Sequence, residues 1–194
     1  MIGLLGAHRT GKSTLCQALL SAGRGSFWEK EISISKMQKD MGYDSSNQSY
    51  DWETRKSIQS GLLDAFFKKL HEETITRAVV ANWITERTPL DLIGYLVMNA
   101  PENPTAEDLE WIDNYIANCI ALTNINYSKV FLLQPGIEYV ECATSAKEDS
   151  MDILNAIYLK TLLDPRLTVD RVIVPKEMTD LTERVLFVME NKNV

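Results

Sequence analysis

The sequence predicts an α/β protein built on a parallel sheet with helices packed on both faces. Three observations carry that expectation. Short apolar runs at Ile2–Leu5, Val79–Thr85, Lys129–Leu133 and Val169–Val174 read as strands buried on both sides. Between them lie longer stretches with helical spacing of apolar residues, so strands and helices alternate along the chain. A length of 194 residues, 45% hydrophobic and 24% charged, suffices for one sizeable core and therefore one domain over residues 1–194.

Ile2–Leu5 is too short for a helix and runs directly into Gly6, which marks it as a strand. Lys12–Ser21 reads as a helix closed by Ala22-Gly23-Arg24-Gly25. The polar stretch Glu29–Tyr50 resists assignment, apart from a loop at Asp44-Ser45-Ser46-Asn47. From Trp52 to Ile75, the residues Ile58, Leu62, Phe66 and Leu70 recur every four positions and predict an amphipathic helix. Val79–Thr85 is β-rich and forms the next strand. Pro89–Met98 is a short helix, broken by Ala100-Pro101-Glu102-Asn103-Pro104. Thr105 and Asp108 make a capping-box start for a helix through Leu122, with Leu109, Ile112, Ile116 and Ile120 on one face. Lys129–Leu133 is a strand stopped by Pro135-Gly136. Ser145–Leu163 is helical, Val169–Val174 a strand and Glu177–Glu190 the closing helix. In such sheets ligands collect beyond the carboxyl ends of the strands, which directs attention to the residues after Leu5, Thr85, Leu133 and Val174.

Composition excludes several functions. A net charge of −7 argues against a broad basic face for duplex nucleic acid, where Lys and Arg must replace condensed counterions. The cysteines, Cys16, Cys119 and Cys142, are odd in number and scattered, and with only two histidines no zinc pattern forms. Buried thiols in a reducing compartment are the expectation. Met1–Leu5 lacks the basic lead-in of a signal peptide, and no run of about 18 apolar residues occurs, so a cytoplasmic protein without a membrane partner is expected.

The strongest local signal is Gly6-Ala7-His8-Arg9-Thr10-Gly11-Lys12-Ser13, which matches GxxxxGK[ST] in full. It follows an apolar strand and opens a helix, the context this pattern requires. Glycines let the backbone curl so that successive N–H groups face phosphate oxygens, and the helix N-terminus adds favourable partial charge. Lys12 neutralises the β/γ oxygens and the Ser13 hydroxyl binds Mg²⁺. Gly6 through Ser13, with Thr14 beside it, are thus the candidate ATP-binding residues. Arg9 could touch a phosphate or stay a solvated loop cation, and His8 reads as a loop spacer.

Glu86 and Arg87 follow the second apolar strand and so sit at a carboxyl edge. A carboxylate there can hold Mg²⁺ or accept a proton, and an arginine can grip a phosphate with its planar fork. Lys12, Glu86 and Arg87 are the catalytic candidates, and Ser13 and Glu86 the metal candidates. Asp91 belongs to Thr88-Pro89-Leu90-Asp91, a helix start with a carboxylate near its positive end; that capping role accounts for it. Arg55 and Gln59 lie four apart on one helix face, where with Arg87 they are candidates to hold the substrate. Tyr43, Tyr50 and Trp52 could stack on a base or build local core. A lid over about 136–150 would need cations, yet Gly136–Asp149 offers only Lys147 beside Glu138, Glu141, Glu148 and Asp149; Arg166 and Arg171 lie further on.

Together the phosphate loop, the Arg55…Gln59 helix and Thr85-Glu86-Arg87-Thr88-Pro89-Leu90-Asp91 resemble the small P-loop kinases. These include the nicotinamide-riboside kinase module of NadR, deoxynucleoside kinases, thymidylate kinases and phage P-loop kinases. The resemblance implies a P-loop NTPase fold: a three-layer α/β/α sandwich with a parallel five-stranded sheet in order 2-3-1-4-5 and a small helical lid. It implies ATP and Mg²⁺ as cofactors and transfer of the γ-phosphoryl group to a nucleoside or nucleotide acceptor. In deoxynucleoside kinases a Glu-Arg pair follows the third strand, matching Glu86-Arg87, and a helix Gln reads the base, matching Gln59. Two departures stand out: the acid those kinases carry after the second strand has only Glu29, Glu31 and Asp44 as candidates, and the arginine-rich lid is missing.

Rival readings remain open at this level. Some phage kinases phosphorylate hydroxymethylated pyrimidines such as 5-hydroxymethyluridine in DNA, so nucleic acid enters only as a modified-base substrate. An ATPase regulator would hydrolyse without an acceptor. A GTPase switch could use Ser145-Ala146-Lys147 and Asp91-Leu92-Ile93-Gly94, but Leu133-Gln134-Pro135-Gly136 stands where NKxD belongs. Self-association as a homodimer stays open.

Overall fold

Strands that are apolar at every position must be covered on both faces, and the sheet shows how this is done. The computed structural model describes residues 1–22, 27–44, 50–71, 83–138 and 148–192. The strands are β1 (Ile2–Leu5), β2 (Trp28–Glu29), β3 (Trp83–Thr85), β4 (Lys129–Leu133) and β5 (Asp170–Val174), all parallel in the order β2-β3-β1-β4-β5. The helices are α1 (Lys12–Ala22), α2 (Ile34–Asp40), α3 (Trp52–His71), α4 (Pro89–Met98), α5 (Ala106–Asn126), α6 (Glu148–Leu162) and α7 (Leu181–Asn191).

Successive residues of a strand point to opposite faces, so the central strands β1 and β4 feed two cores, whereas the edge strand β5 is largely exposed and feeds one. Leu4, Phe131, Leu133 and Val174 pack with Leu15, Leu19 and Val188 from α1 and α7. Leu5, Val130 and Leu132 pack with Ile58, Leu62, Phe66, Leu92, Ile93, Ile120 and Tyr158 from α3, α4, α5 and α6. The predicted three-layer sandwich and its strand order are therefore present.

The departures from expectation are local. The polar stretch contains β2, held to β3 through Trp28–Trp83 and Glu29–Ile84 pairing. It also contains α2, whose N-cap Ser33 hydroxyl accepts from the Lys36 N–H at 3.3 Å. Two residues of strand and seven of helix are too short for any period to show. Along α5, Ile120 is buried and Ile112 and Ile116 pack against the core, but Leu109 is 54% exposed, one turn before the helix reaches its neighbours. That helix continues past Leu122 to Asn126. The last helix begins at Leu181 on an Asp180 cap, because Pro175 and Met178 close a turn before it. Residues 79–82 of the expected strand, 72–75 of the expected helix, Gly23-Arg24-Gly25 and Ser45–Asn47 lie outside the described residues, as does the start of the expected Ser145–Leu163 helix. Among the described residues no helix is long and apolar enough to cross a membrane.

Candidate active site

β1 delivers the chain to the middle of the carboxyl edge, and the turn that follows has a backbone only certain residues allow. Gly6 has φ 155°, and a Cβ there would lie 2.6 Å from the Leu133 carbonyl oxygen and 2.9 Å from Thr10 Oγ1. Gly11 has φ 84° and Arg9 has φ 60°. Left-handed backbone is where a side chain is resisted, so the two glycines are required by the curl. Thr10 Oγ1 donates to the Ala7 carbonyl at 3.1 Å. Lys12 Nζ reaches back into the curl and donates to the Gly6 and Ala7 carbonyls at 2.7 and 2.6 Å. Burial lowers the Lys12 pKa to about 7, Arg87 adds to the effect, and Asp91 and Glu86 oppose it.

α7 supplies a residue that sequence reasoning missed. Arg184 is 2% exposed and its Nη1 donates to the Thr10 carbonyl at 2.7 Å, while its Nε donates to the Met178 carbonyl. Its Nη2 is buried with no hydrogen-bond partner among the described residues. An arginine in an otherwise ordinary amphipathic helix carries no sequence signal; only the docking of α7 against the loop reveals it.

Next to the loop, the Ser13 hydroxyl donates to Glu86 Oε1 at 2.5 Å. Ser13 and Thr14 are exposed at the start of α1 and Glu86 is half-buried just after β3, so this pair of oxygen donors faces solvent. Among the described residues no group of three or more His, Cys, Asp or Glu side chains could hold a metal. The three acids considered for the second-strand position separate clearly. Glu29 lies against α1, accepting from Gln17 Nε2 at 3.3 Å and from the Cys16 thiol at 3.9 Å. Burial, then Glu29, pushes that thiol up to about 12. Asp44 follows α2 and its N–H donates to Tyr50 Oη at 2.9 Å. Glu31 is exposed and lies two residues beyond the carboxyl end of β2. Of the other cysteines, Cys119 is buried and Cys142 lies outside the described residues.

Arg87 sits in a hydrogen-bonded chain. Its Nη1 donates to Asp91 Oδ1 at 2.9 Å and to Tyr95 Oη at 3.4 Å, and Tyr95 Oη lies 2.9 Å from His8 Nε2. Asp91 is fully buried, and its Oδ2 accepts the Thr88 N–H at 2.8 Å and the Thr88 hydroxyl at 3.1 Å. Asp91 therefore does more than cap α4: it also anchors Arg87. Burial opposes charge on Arg87, but Asp91 and the tyrosines outweigh it and the pKa stands above the ordinary arginine value. His8 is more than a spacer. Burial first, then Arg87, Lys12 and Arg9, lowers its pKa to about 4.

On the opposite side of the edge, Arg55 Nε donates to the Tyr50 carbonyl at 2.9 Å and its Nη1 to Asn99 Oδ1 at 2.7 Å. Gln59 is buried and its Oε1 accepts from Tyr115 Oη at 2.9 Å. The aromatics build local structure: Tyr43 meets Tyr50 edge-on at 5.7 Å, and Trp52 donates to Asp108 Oδ1 at 2.6 Å. Residues 139–147, with Glu141, Lys147 and the Ser145-Ala146-Lys147 triplet, lie outside the described residues. Arg166 is bound to Asp164 and Asp113, and Arg171 donates to the Leu167 carbonyl. Both stand at the amino end of β5, away from the phosphate loop. The Asp91–Gly94 stretch is wholly inside α4, with its aspartate committed to Thr88 and Arg87.

No family model matches the chain, and no curated protein does. Solved structures do match. The deoxyadenosine kinase of M. mycoides, in a structure with products dCMP and a flexible dCDP bound, gives a TM-score of 0.62 at 17% identity, covering 99% of this chain and 98% of that one. The same kinase with bound dATP gives 0.60 at 19%, covering 100% and 99%. The thymidylate kinase of Candida albicans gives 0.59 at 14%, covering 98% and 91%. The chain shares their fold over nearly its whole length.

Proposed function

We propose that this chain is an ATP- and Mg²⁺-dependent phosphotransferase that moves the γ-phosphoryl group to a hydroxyl of a nucleoside or nucleotide. One observation carries the reading: Ser13 and Glu86 meet at 2.5 Å at the mouth of the curled loop, beside a buried Lys12 held inside it. Hard oxygen donors of this kind suit Mg²⁺, which takes one or two protein oxygens and completes its shell with phosphate and water. Ser13 and Glu86 would hold the ion, and when bound it neutralises charge on the β and γ oxygens.

The chain's own groups do the rest. The N–H groups at the start of α1 face the triphosphate, supported by the helix dipole. Lys12 exchanges the Gly6 and Ala7 carbonyls for phosphate oxygens. Arg87, oriented by Asp91, offers its remaining donors to the phosphoryl group in flight. Glu31, just past the carboxyl end of β2, takes the proton of the attacking hydroxyl. A bond forms between that oxygen and the γ-phosphorus, the bond to the β–γ bridging oxygen breaks, and ADP leaves. Gln59, fixed by Tyr115, and Arg55 line the acceptor side. The bound dATP and dCMP of the M. mycoides kinase favour a nucleoside or nucleotide acceptor. A cytoplasmic setting belongs to this reading.

The test is a mass-shift screen with ATP, Mg²⁺ and a panel of nucleosides, nucleotides and DNA containing 5-hydroxymethyluridine. Lys12→Met serves as the control that must abolish transfer. One added phosphoryl group on a nucleoside or nucleotide is the expected result. Label on DNA alone, or phosphate release that no acceptor accelerates, would replace the reading with one of its rivals.

A further inference from the structure

The chain from His8 to Asp91 joins three separate segments: the phosphate loop, α4 and the β3–α4 connection. Its hydrogen bonds can be directed atom by atom. Arginine has no acceptor, so Arg87 Nη1 donates to Tyr95 Oη at 3.4 Å, as it does to Asp91 Oδ1 at 2.9 Å. The tyrosine oxygen then has its own hydrogen left to place, and His8 Nε2 stands 2.9 Å away. With the tyrosine hydrogen placed there, Nε2 is the bare acceptor and the ring hydrogen sits on Nδ1. Burial first, and then the neighbouring cations Arg87, Lys12 and Arg9, keep the imidazole neutral and so preserve the acceptor. The rings of His8 and Tyr95 meet at 5.7 Å with a 50° tilt, which seats the pair in one arrangement.

Resting on the phosphotransferase reading, we propose that Tyr95 and His8 are positioning residues that fix the plane of the Arg87 guanidinium against the phosphate loop. A single bond to Asp91 pins one nitrogen and leaves the fork free to swing about it. The second contact, at Tyr95, removes that freedom, and His8 ties the tyrosine to the loop that holds the phosphates. Nη1 is thereby occupied on the side of α4, and the other nitrogens of the fork remain for the phosphoryl group. Movement of the loop is transmitted to Arg87 through two hydrogen bonds, so donor and acceptor sides are set in register.

The test compares Tyr95→Phe, His8→Leu, His8→Gln and the Tyr95→Phe/His8→Leu pair. Steady-state kinetics, melting temperature and nitrogen-15 NMR of the imidazole are the readouts; the chain has only two histidines, which simplifies assignment. Tyr95→Phe should lower kcat about tenfold to a hundredfold, with KM for ATP within about twofold, because only orientation in the transition state is lost. His8→Leu should match it, and the pair should be no worse than either single change. His8→Gln should recover most of the kcat lost in His8→Leu, since its amide oxygen replaces Nε2 as acceptor. NMR should show the Nδ1–H tautomer of His8 in the native chain and its loss in Tyr95→Phe. Unchanged kcat in Tyr95→Phe, equal damage from His8→Gln and His8→Leu, or a protonated Nε2 would each overturn the proposal. A native chain that transfers no phosphoryl group would overturn the functional reading instead, and the imidazole spectrum still decides whether the pair exists.

Discussion

Replacing Arg87 with methionine should lower stability as well as turnover, and the two losses can be separated. Asp91 is 0% exposed and its carboxylate has donors at 2.9 Å from Arg87 and at 2.8 and 3.1 Å from Thr88. Methionine fills much of the aliphatic stem but removes the guanidinium. The buried carboxylate is then left with two neutral donors from Thr88 and no counter-charge. Removing one partner of a buried pair costs about 3–5 kcal/mol. The surviving Thr88 bonds, each about 1 kcal/mol, stay in place and soften this, so a loss of about 2–3 kcal/mol is expected. At about 2–4 °C per kcal/mol for a chain of this size, the melting temperature should fall by about 4–12 °C. Adding Asp91→Asn removes the stranded charge at constant shape, so Arg87→Met/Asp91→Asn should regain at least about 1 kcal/mol over Arg87→Met. Phosphoryl transfer should not return with it, because the fork is still missing. Thermal melts followed by turnover assays on the three variants measure both effects. If Arg87→Met melts within about 2 °C of the native chain, or Asp91→Asn restores nothing, Arg87 is not what balances the Asp91 charge.

Three further perturbations test the surroundings of the loop. Gly6→Ala puts a Cβ 2.6 Å from a backbone oxygen at φ 155°, where neither contact can yield, so ATP affinity by calorimetry should drop more than about tenfold; native affinity would show that the curl tolerates a side chain. Arg184→Met withdraws the donor to the Thr10 carbonyl but also a buried cation with an orphan Nη2, so stability should stay within about 1 kcal/mol while ATP binding weakens several-fold; equal binding would make Arg184 a packing residue only. The last concerns pH. The unfolded chain protonates His8 near pH 6.5, whereas the folded chain resists it until about 4. Between these values the unfolded state binds more protons, so stability rises with pH and is complete above about 6.5. His8→Gln should flatten that rise in melts taken across pH 4 to 6.5, and an unchanged slope would remove His8 as its source.

The curl that follows β1 was readable because its parts are contiguous. Gly6 to Ser13 is a single run in which glycine positions report backbone shape, and the same run lies on an apolar strand and opens a helix. Each level agrees with the others, which is what makes such a pattern legible. Strand order followed from the family resemblance, and the apolar runs of β1 and β4 are covered on both faces as expected, whereas β5, with Asp170 and Arg171 in its run, is largely exposed. Other features had no local trace. β2 has two residues, and its strand character comes from pairing with Trp83 and Ile84 across the sheet. Ser33 caps α2, whose seven residues make about two turns, too few for a hydrophobic period to stand out. Arg184 reaches Thr10 across 174 positions and Tyr95 reaches His8 across 87. Contacts of that span exist only after the layers have packed. Asp91 illustrates a different failure: a capping role accounts fully for its sequence context, so nothing in that context called for a second partner.

This difference in legibility has a physical consequence for specificity. The side proposed to take the phosphates is made largely of backbone N–H groups and one lysine, so its chemistry depends on the shape of the curl more than on the side chains along it. The side proposed to take the acceptor is made of side chains held by other side chains. Gln59 is set by Tyr115 from α5, and Arg55 by Asn99 at the end of α4. Sequence spacing shows that Arg55 and Gln59 share a helical face, but the donors and acceptors they present depend on those partners. Tyr115 donates to Gln59 Oε1, so the carbonyl end of that amide is occupied and the NH₂ end is the one left to meet a substrate. A base edge offering acceptors would then be preferred over one offering donors. Exchanging Tyr115 for phenylalanine frees the amide to rotate and should broaden the range of acceptors without weakening ATP binding.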